Sequence, residues 1–598
     1  MKKALFVVST LLVFLSLSPA QSNNKTAQPK QAIMTADEVR PGMKGVAYTV
    51  FQGAKPEPME VEILGVLKNM NGPKSDLILA RLHGEKPEYT GVVGGMSGSP
   101  VYIDNKLVGA ISYRIGSFSK EPIAGITPIA EMLEINEFDH SIPASLPMSS
   151  SPKQGPAEKT SGPGKPDTTA MQSYAQYLQP IDSSFAFSGF SEDTIKLFAG
   201  QFAAAGITPV LGAGGSSNAD QPEPVVPGSA VSSVLVRGDM DAAATCTVTY
   251  IDAEHLLACG HPITQYGMVE MPMTKANVVA TLASPLNAFK IINTTESIGT
   301  FVQDRHTGIL GRFNKQPEMI PVTLNIHGAS GPKEFHYEVL NNPRLTPLMM
   351  MATVFNALQG MNQYGEETTY RMNGHIHVNG YPDVRLTNMF SPAENMPTAF
   401  AVATALGDHF GRIYDNPFQA PKIGGVSLEF DLERDRRSAV VESARTDMTE
   451  ARPGEEITIE AVLRPYRGER IVRRIPVRIP TSAPKGTLRI LVSDAETLDR
   501  ARRLNPTLNR RLDLNSTIEL LNKEHLNDHL YVSLLEPNPQ ATVEDKVMPG
   551  VPLSVMNVME GMRATQEMMV FNESAVNEAS TPAGYVVTGA QVISLTIK

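Results

Sequence analysis

The chain has 598 residues, too many for one hydrophobic core; at roughly 100–200 residues per domain it divides into about three to five. Hydrophobic residues make up 42% and charged residues 19%, at a mean hydropathy of -0.13, which excludes a disordered chain. A net charge of -10 without a dense Lys/Arg block excludes a nucleic-acid binder, and 2 cysteines exclude a disulfide-dense scaffold or a zinc–cysteine cluster.

Residues 1–20 read as a signal peptide: Lys2 and Lys3, an apolar run from Ala4 to Leu17, then the small residues Ser18-Pro19-Ala20. No later stretch is long enough for a membrane helix, so the chain is expected to be exported, periplasmic or extracellular. Residues 36–140 are strand-rich. Met59, Val61 and Ile63 alternate with Glu60 and Glu62; Leu77–Ala80 is a second strand, and Asp104-Asn105 turns a hairpin between Val101 and Ile111. Residues 141–170, rich in Pro, Ser, Gly and Lys, read as a flexible linker. The connector 171–229 reads as helical over 171–207, with Ser183, Ser184 or Ser191 as caps, and loose from 212. Short strands return over 230–330. An α+β module over 331–423 carries apolar helical spacing at 343–361 and 396–412. Residues 424–598 read as β-sandwich-like, helical only at 494–525.

Cys246 and Cys259 flank a strand–turn–strand. Centring the turn on Asp252-Ala253 sets them opposite one another, as a disulfide or as two buried thiols.

Two segments carry chemistry. In Gly94-Gly95-Met96-Ser97-Gly98-Ser99-Pro100 a serine stands between glycines ahead of a strand. Small neighbours allow a sharp turn that exposes a hydroxyl and frees backbone N–H groups, here those of Gly95 and Ser97, to act as an oxyanion hole. In Ala258-Cys259-Gly260-His261-Pro262-Ile263 a histidine leaves a strand end between Gly and Pro, the fixed placement that a general base needs. Competing groups are weaker. His375 and His377 alternate on a strand without a third ligand. His525 and His529 have helical spacing, but Leu526 stands where a metalloprotease needs Glu, so they read as surface residues. Met349–Met351 reads as core, and Arg500, Arg502, Arg503, Arg510 and Arg511 as a solvated helix face.

TGVVGGMSGSPVYIDNKLVGAISY, VTYIDAEHLLACGHPI and ESIGTFVQDRHTGILGRF resemble segments of the SpoIVB-type serine peptidases, the sporulation stage IV B family. The resemblance covers 41–135 and 230–325. It implies a mainly β fold with a chymotrypsin-like pair of β-barrels, here formed from two separated segments. It further implies Ser97 as nucleophile, His261 as general base, Gly95 and Ser97 as oxyanion hole, strand Ala124-Gly125-Ile126 as pocket lining, a protein or peptide substrate, and neither metal nor cofactor. In the family the histidine segment precedes the serine segment; here the order is reversed. The family's acid lies about fifteen residues before its serine, near His83 here, so Asp76, Glu85 and Asp304 stay open as the third residue. A catalytically inactive scaffold on the same barrels, with C-terminal β-domains binding another envelope protein, is the alternative.

Overall fold

A computed structural model describes residues 31–115, 121–141, 178–181, 184–212, 215, 220–284, 288–362, 365–393, 396–502, 512–543, 546–549, 551–561 and 568–598. Residues 1–20, read as a signal peptide, and residues 142–170 of the expected linker lie outside them.

Strands β1 (Lys44–Thr49), β2 (Glu57–Leu67), β3 (Leu77–His83), β4 (Ser99–Ile103), β5 (Lys106–Ile115) and β6 (Ile123–Pro128) close into a barrel. Its antiparallel ring runs β1-β2-β3-β6-β5-β4 and back to β1. Period-two alternation builds it: Met59, Val61 and Ile63 point inward and meet Ile78, Ala80, Val101, Ile111 and Ile126, while Glu60 faces out. Register shifts at Ile63/Gly65, Val101/Tyr102 and Ile111/Tyr113 supply the bends that closure requires. The β4–β5 turn has Asp104 and Asn105 both at positive φ, the conformation of a two-residue hairpin turn.

Leu178–Pro180 (β7) pairs with β5, and Phe185–Ser188 (β8) pairs in parallel with Pro209–Leu211 (β9). Among the described residues of the span expected to be helical, helix occupies only Glu192–Leu197 and Ala199–Ala204, because the alternating Phe185-Ala186-Phe187 is captured as a strand by the next sheet. Ser191 caps the first helix, its Oγ accepting from Thr194 N at 3.2 Å; Ser183 lies outside the described residues.

A second closed barrel follows: β10 (Ala230–Gly238), β11 (Asp241–Ile251), β12 (His255–Ala258), β13 (Gly267–Leu282), β14 (Phe289–Arg305) and β15 (Gly308–Phe313). Its ring runs β10-β11-β12-β15-β14-β13 and back to β10. Numbered within each barrel, both rings read 1-2-3-6-5-4. The two barrels are therefore one topology used twice, a repeat that no pattern in the residues discloses.

From β10 the second sheet runs on through β17 (Gly331–Leu340) and β16 (Met319–Gly328) to Ile423–Glu433 and Thr369–Val378. The apolar helices Thr346–Met361 and Thr398–Tyr414 pack with this extension, and Met349 and Met350 are fully buried in its core. C-terminal to this, two sheets share one core, with Ile459, Leu463 and Ile475 from one and Ile490, Val532 and Leu595 from the other, which makes a sandwich. A helix at Leu553–Gly561, not expected, joins those at Ala495–Arg502 and Leu514–Lys523. Arg503, Arg510 and Arg511 lie outside the described residues.

Candidate active site between the barrels

The two barrels meet along a seam of two apolar patches and a hydrogen-bonded stretch. Leu107, Ala110, Ile129 and Met132 of the first pack on Leu257, Val302 and Leu310 of the second. Val50 packs on Ala276, Val278 and Ile292. Between these patches lies the loop 94–98, which leads from the third to the fourth strand of its barrel. Against it stands the loop 259–266, which makes the same connection in the other.

The serine loop is held by the second barrel. Thr247 N donates to Ser97 O at 2.7 Å, Thr247 Oγ1 to Gly95 O at 2.8 Å, and Thr249 Oγ1 to Gly98 O at 2.7 Å. Gly94 N donates to Ala288 O at 2.8 Å, and Lys290 N to Gly94 O at 3.1 Å. Two glycines are dictated by shape. Gly95 and Gly98 take φ of 90° and 94°, and a Cβ on Gly98 would stand 1.9 Å from Thr247 O and 2.5 Å from Cys259 N.

The amides sort into two sets. Met96 N donates to Val93 O, Gly98 N to Ile111 O, and Ser99 N to Met96 O. Among the described residues the N–H groups of Gly95 and Ser97 find no acceptor, and the Ser97 hydroxyl, fully buried, has no hydrogen-bond partner. Buried donors are nearly always paired, so two open amides flanking a hydroxyl mark a place for a ligand oxygen. Each open amide is fixed from behind through its own peptide carbonyl. Lys290 N holds Gly94 O, while Ser99 Oγ (2.6 Å) and Ser99 N (3.0 Å) hold Met96 O. Ser99 thus has its hydroxyl committed to the loop.

His261 is buried at the same seam. Gly260, just before it, lies against Ser112 and Ala110 of the first barrel, and Thr127 Oγ1 donates to Gly260 O at 2.7 Å. His261 Nδ1 stands 2.7 Å from Pro262 O. A carbonyl only accepts, so Nδ1 carries the proton and neutral His261 presents Nε2 as its basic nitrogen.

A disulfide joins Cys246 to Cys259, with Cα atoms 5.1 Å apart. The cysteines are diagonal rather than directly opposite. The turn closes with Asp252 N on His255 O, and a bulge between Val248 and Tyr250 shifts the register, so Val248 faces Ala258. Cys259 reaches its partner by taking φ of 69° just past the strand end.

Among the acids left open by the sequence, Asp76 is bound to Lys68 Nζ at 2.7 Å, and Glu85 is exposed at the start of the helix Glu85–Thr90. His83 pairs with Glu62 at 3.1 Å. Asp304 is different. It is buried beside the histidine loop and accepts from Ile263 N (2.9 Å), Thr264 N (2.6 Å), Thr264 Oγ1 (2.7 Å) and Gln265 N (2.9 Å). Burial pushes its carboxyl above the usual range, and those donors pull against the rise.

Lys290 is the residue that sequence reasoning missed. It reads as one polar position in an alternating strand, yet it is buried, with Nζ bonded to Thr49 Oγ1 (2.8 Å) and Gly95 O (3.0 Å). Desolvation pushes its pKa down to about 7. The other histidines stay apart from this seam. His375 and His377 are exposed, the latter on Asp383 at 2.8 Å. His525 and His529 do not share a helix, which ends at Lys523. His525 is not a surface residue either: it sits largely buried between Asp499 and Glu578, and these carboxylates raise its pKa against the lowering effect of desolvation.

Residues 10–133, about a fifth of the chain, match the family model of the SpoIVB peptidase S55. The match spans the serine barrel and ends before the histidine barrel. No curated protein and no solved structure matches the chain.

Proposed function

We propose that the paired barrels form a serine endopeptidase of the SpoIVB type, with Ser97 as nucleophile, His261 as general base, and the Gly95 and Ser97 amides as oxyanion hole. The observation that carries this reading is the Ser97 loop: a hydroxyl flanked by two acceptor-free amides, on the seam shared with a histidine whose Nδ1 is already committed. In this mechanism His261 Nε2 takes the Ser97 proton as Oγ attacks the scissile carbonyl. The oxyanion settles on the two amides, His261 returns the proton to the leaving amine, and water releases the acyl group by the same steps in reverse. The substrate is a protein segment bound as an added strand. The strand Ala124-Gly125-Ile126 is proposed as lining for its side chain, and the C-terminal sandwich as the part that meets an envelope partner. Export is supported by the N-terminal segment and by a disulfide, which persists in oxidising compartments.

One observation favours a second reading, a barrel pair without turnover: Ser97 is fully buried. A fluorophosphonate probe on the full chain decides between them. The peptidase reading expects labelling that Ser97→Ala abolishes and His261→Ala slows by roughly 10³–10⁴-fold. A folded chain that never labels and never cleaves an unfolded protein refutes it.

A further inference from the structure

His261 Nδ1 stands on a backbone carbonyl, and a carboxylate lies one peptide away. His261 Nδ1–H donates to Pro262 O at 2.7 Å, and the N–H of that same Pro262–Ile263 peptide donates to Asp304 Oδ1 at 2.9 Å. No peptide among the described residues is cis. In a trans peptide the C=O and N–H point in opposite directions, so the unit bridges ring and carboxylate end to end. We propose that Asp304 is the positioning residue of this site, acting on His261 through the Pro262–Ile263 peptide: it holds the ring in the Nδ1–H form and stabilises the imidazolium formed when Nε2 takes the serine proton.

Three features support this. A carboxylate accepting from an amide N–H draws electron density toward the carbonyl of the same peptide, which makes that carbonyl a stronger acceptor for Nδ1–H. Asp304 Oδ2 takes three further donors, from Thr264 N, Thr264 Oγ1 and Gln265 N, so the loop just after His261 has one place to sit. The anion is buried, where its field is weakly screened. Other charged and titratable groups around this unit are engaged elsewhere. Tyr266 donates to Ala205 O, with Arg344 over its ring; Arg305 turns to Asp139 and Gln303; Glu131 of the helix Ile129–Met132 binds Ser75; and Lys290, at the far end of β14, holds Gly95 O. One strand, β14, thus supplies an amine to the serine loop and a carboxylate to the histidine loop.

The inference rests on the peptidase reading, and the tests separate the two. The rate of fluorophosphonate labelling is followed against pH for wild type, Asp304→Asn and Thr264→Val, all as full-length chains. Labelling that depends on Ser97 establishes the reading on which the inference rests. Asp304→Asn is then expected to label about 10–100-fold more slowly, with the acidic limb of the profile moved to lower pH, because the imidazolium has lost its anion. Thr264→Val, which loosens the loop but keeps the carboxylate on Ile263 N–H, is expected to slow labelling less than Asp304→Asn does and to leave the limb in place. If both variants slow labelling and neither moves the limb, Asp304 only braces the loop and the inference is overturned while the peptidase stands. A second measurement needs no Asp304 variant and no turnover. Histidine-selective ¹⁵N NMR of the wild-type chain, with the signal assigned by its loss in His261→Ala, reports which nitrogen carries the proton. An Nδ1–H neutral ring is expected, and an Nε2–H ring overturns the inference, including where Asp304→Asn does not fold.

Discussion

Lys290→Met isolates the cost of placing an ammonium in the seam. Methionine matches the length of the stem and is apolar, and Gly95 O keeps its bond from Thr247 Oγ1 at 2.8 Å. In the unfolded chain the amine titrates at its ordinary 10.5; in the folded protein burial brings it to about 7. Desolvation penalises only the protonated form. The penalty is therefore fully present below about pH 7 and fades as pH rises toward 10.5, where the unfolded chain also gives up its proton. Between pH 6 and pH 9 the unfolded state holds more of this proton than the folded state, so wild type gains stability with pH. With those two pKa values the gain from Lys290 over that interval is about 2.5 kcal/mol. The methionine variant lacks it. It is expected to be the more stable protein at pH 6 and to lose about that much of its advantage by pH 9. Other titrations are common to both chains and cancel in the difference. With no tryptophan in the sequence, urea pulse proteolysis of the two chains at a series of pH values is the suitable assay. Parallel stability curves would refute the reasoning, because they mean that the amine keeps its ordinary proton affinity and is not enclosed where the seam puts it.

Gly98→Ala forces a Cβ onto Thr247 O and Cys259 N at positive φ, so it should cost at least about 3 kcal/mol and abolish labelling; a near-neutral effect in thermal unfolding would contradict the close approach of the two loops. Ser99→Ala removes the hydroxyl donor behind the Ser97 amide. It should lower stability by about 1 kcal/mol and labelling by roughly tenfold, with reaction still at Ser97 when the labelled peptide is sequenced. Replacing Cys246 and Cys259 together by serine opens a loop with a separation of 13 residues. About 3 kcal/mol should be lost, with slower labelling because Cys259 abuts both loops; unchanged urea midpoints would show that the bond adds nothing to this barrel.

Much of the fold was legible where a pattern is local. The Met59–Ile63 alternation became an inward face, and Asp104-Asn105 became the turn it suggested, because both depend on neighbours in sequence. The two candidate loops were legible for another reason: the serine and the histidine each carry their own turn chemistry, so both could be placed at strand ends from local sequence alone. What failed depends on partners far along the chain. The turn centred on Asp252-Ala253 ignored the bulge between Val248 and Tyr250, in a hairpin whose β12 also pairs with β15, a strand some fifty residues further on. Phe185-Ala186-Phe187 was absorbed into an expected helix because the strand that captures it begins more than fifty residues later. Lys290 and Asp304 look like two ordinary charges on a long alternating strand. Only barrel closure turns their side chains inward, one toward each loop.

That placement also explains how little the order of the two barrels constrains the site. Both rings close as 1-2-3-6-5-4, and in both the candidate loop joins the third strand to the fourth. A loop at that position leaves its barrel at the same end of the same ring, whichever barrel comes first in the chain. Acyl transfer requires that a hydroxyl, an imidazole and two amides converge, and nothing in that requirement refers to sequence order. The constraint falls instead on the seam. Thr247, Thr249 and Lys290 reach out of the histidine barrel to fix the carbonyls of the serine loop, and Thr127 reaches back to fix Gly260. These are hydroxyls and an amine bonded to backbone carbonyls, so the match between the barrels depends on main-chain geometry more than on the identity of the residues in each loop. Substitution of Thr127, Thr247 or Thr249 should therefore slow fluorophosphonate labelling as severely as changes in the loops themselves.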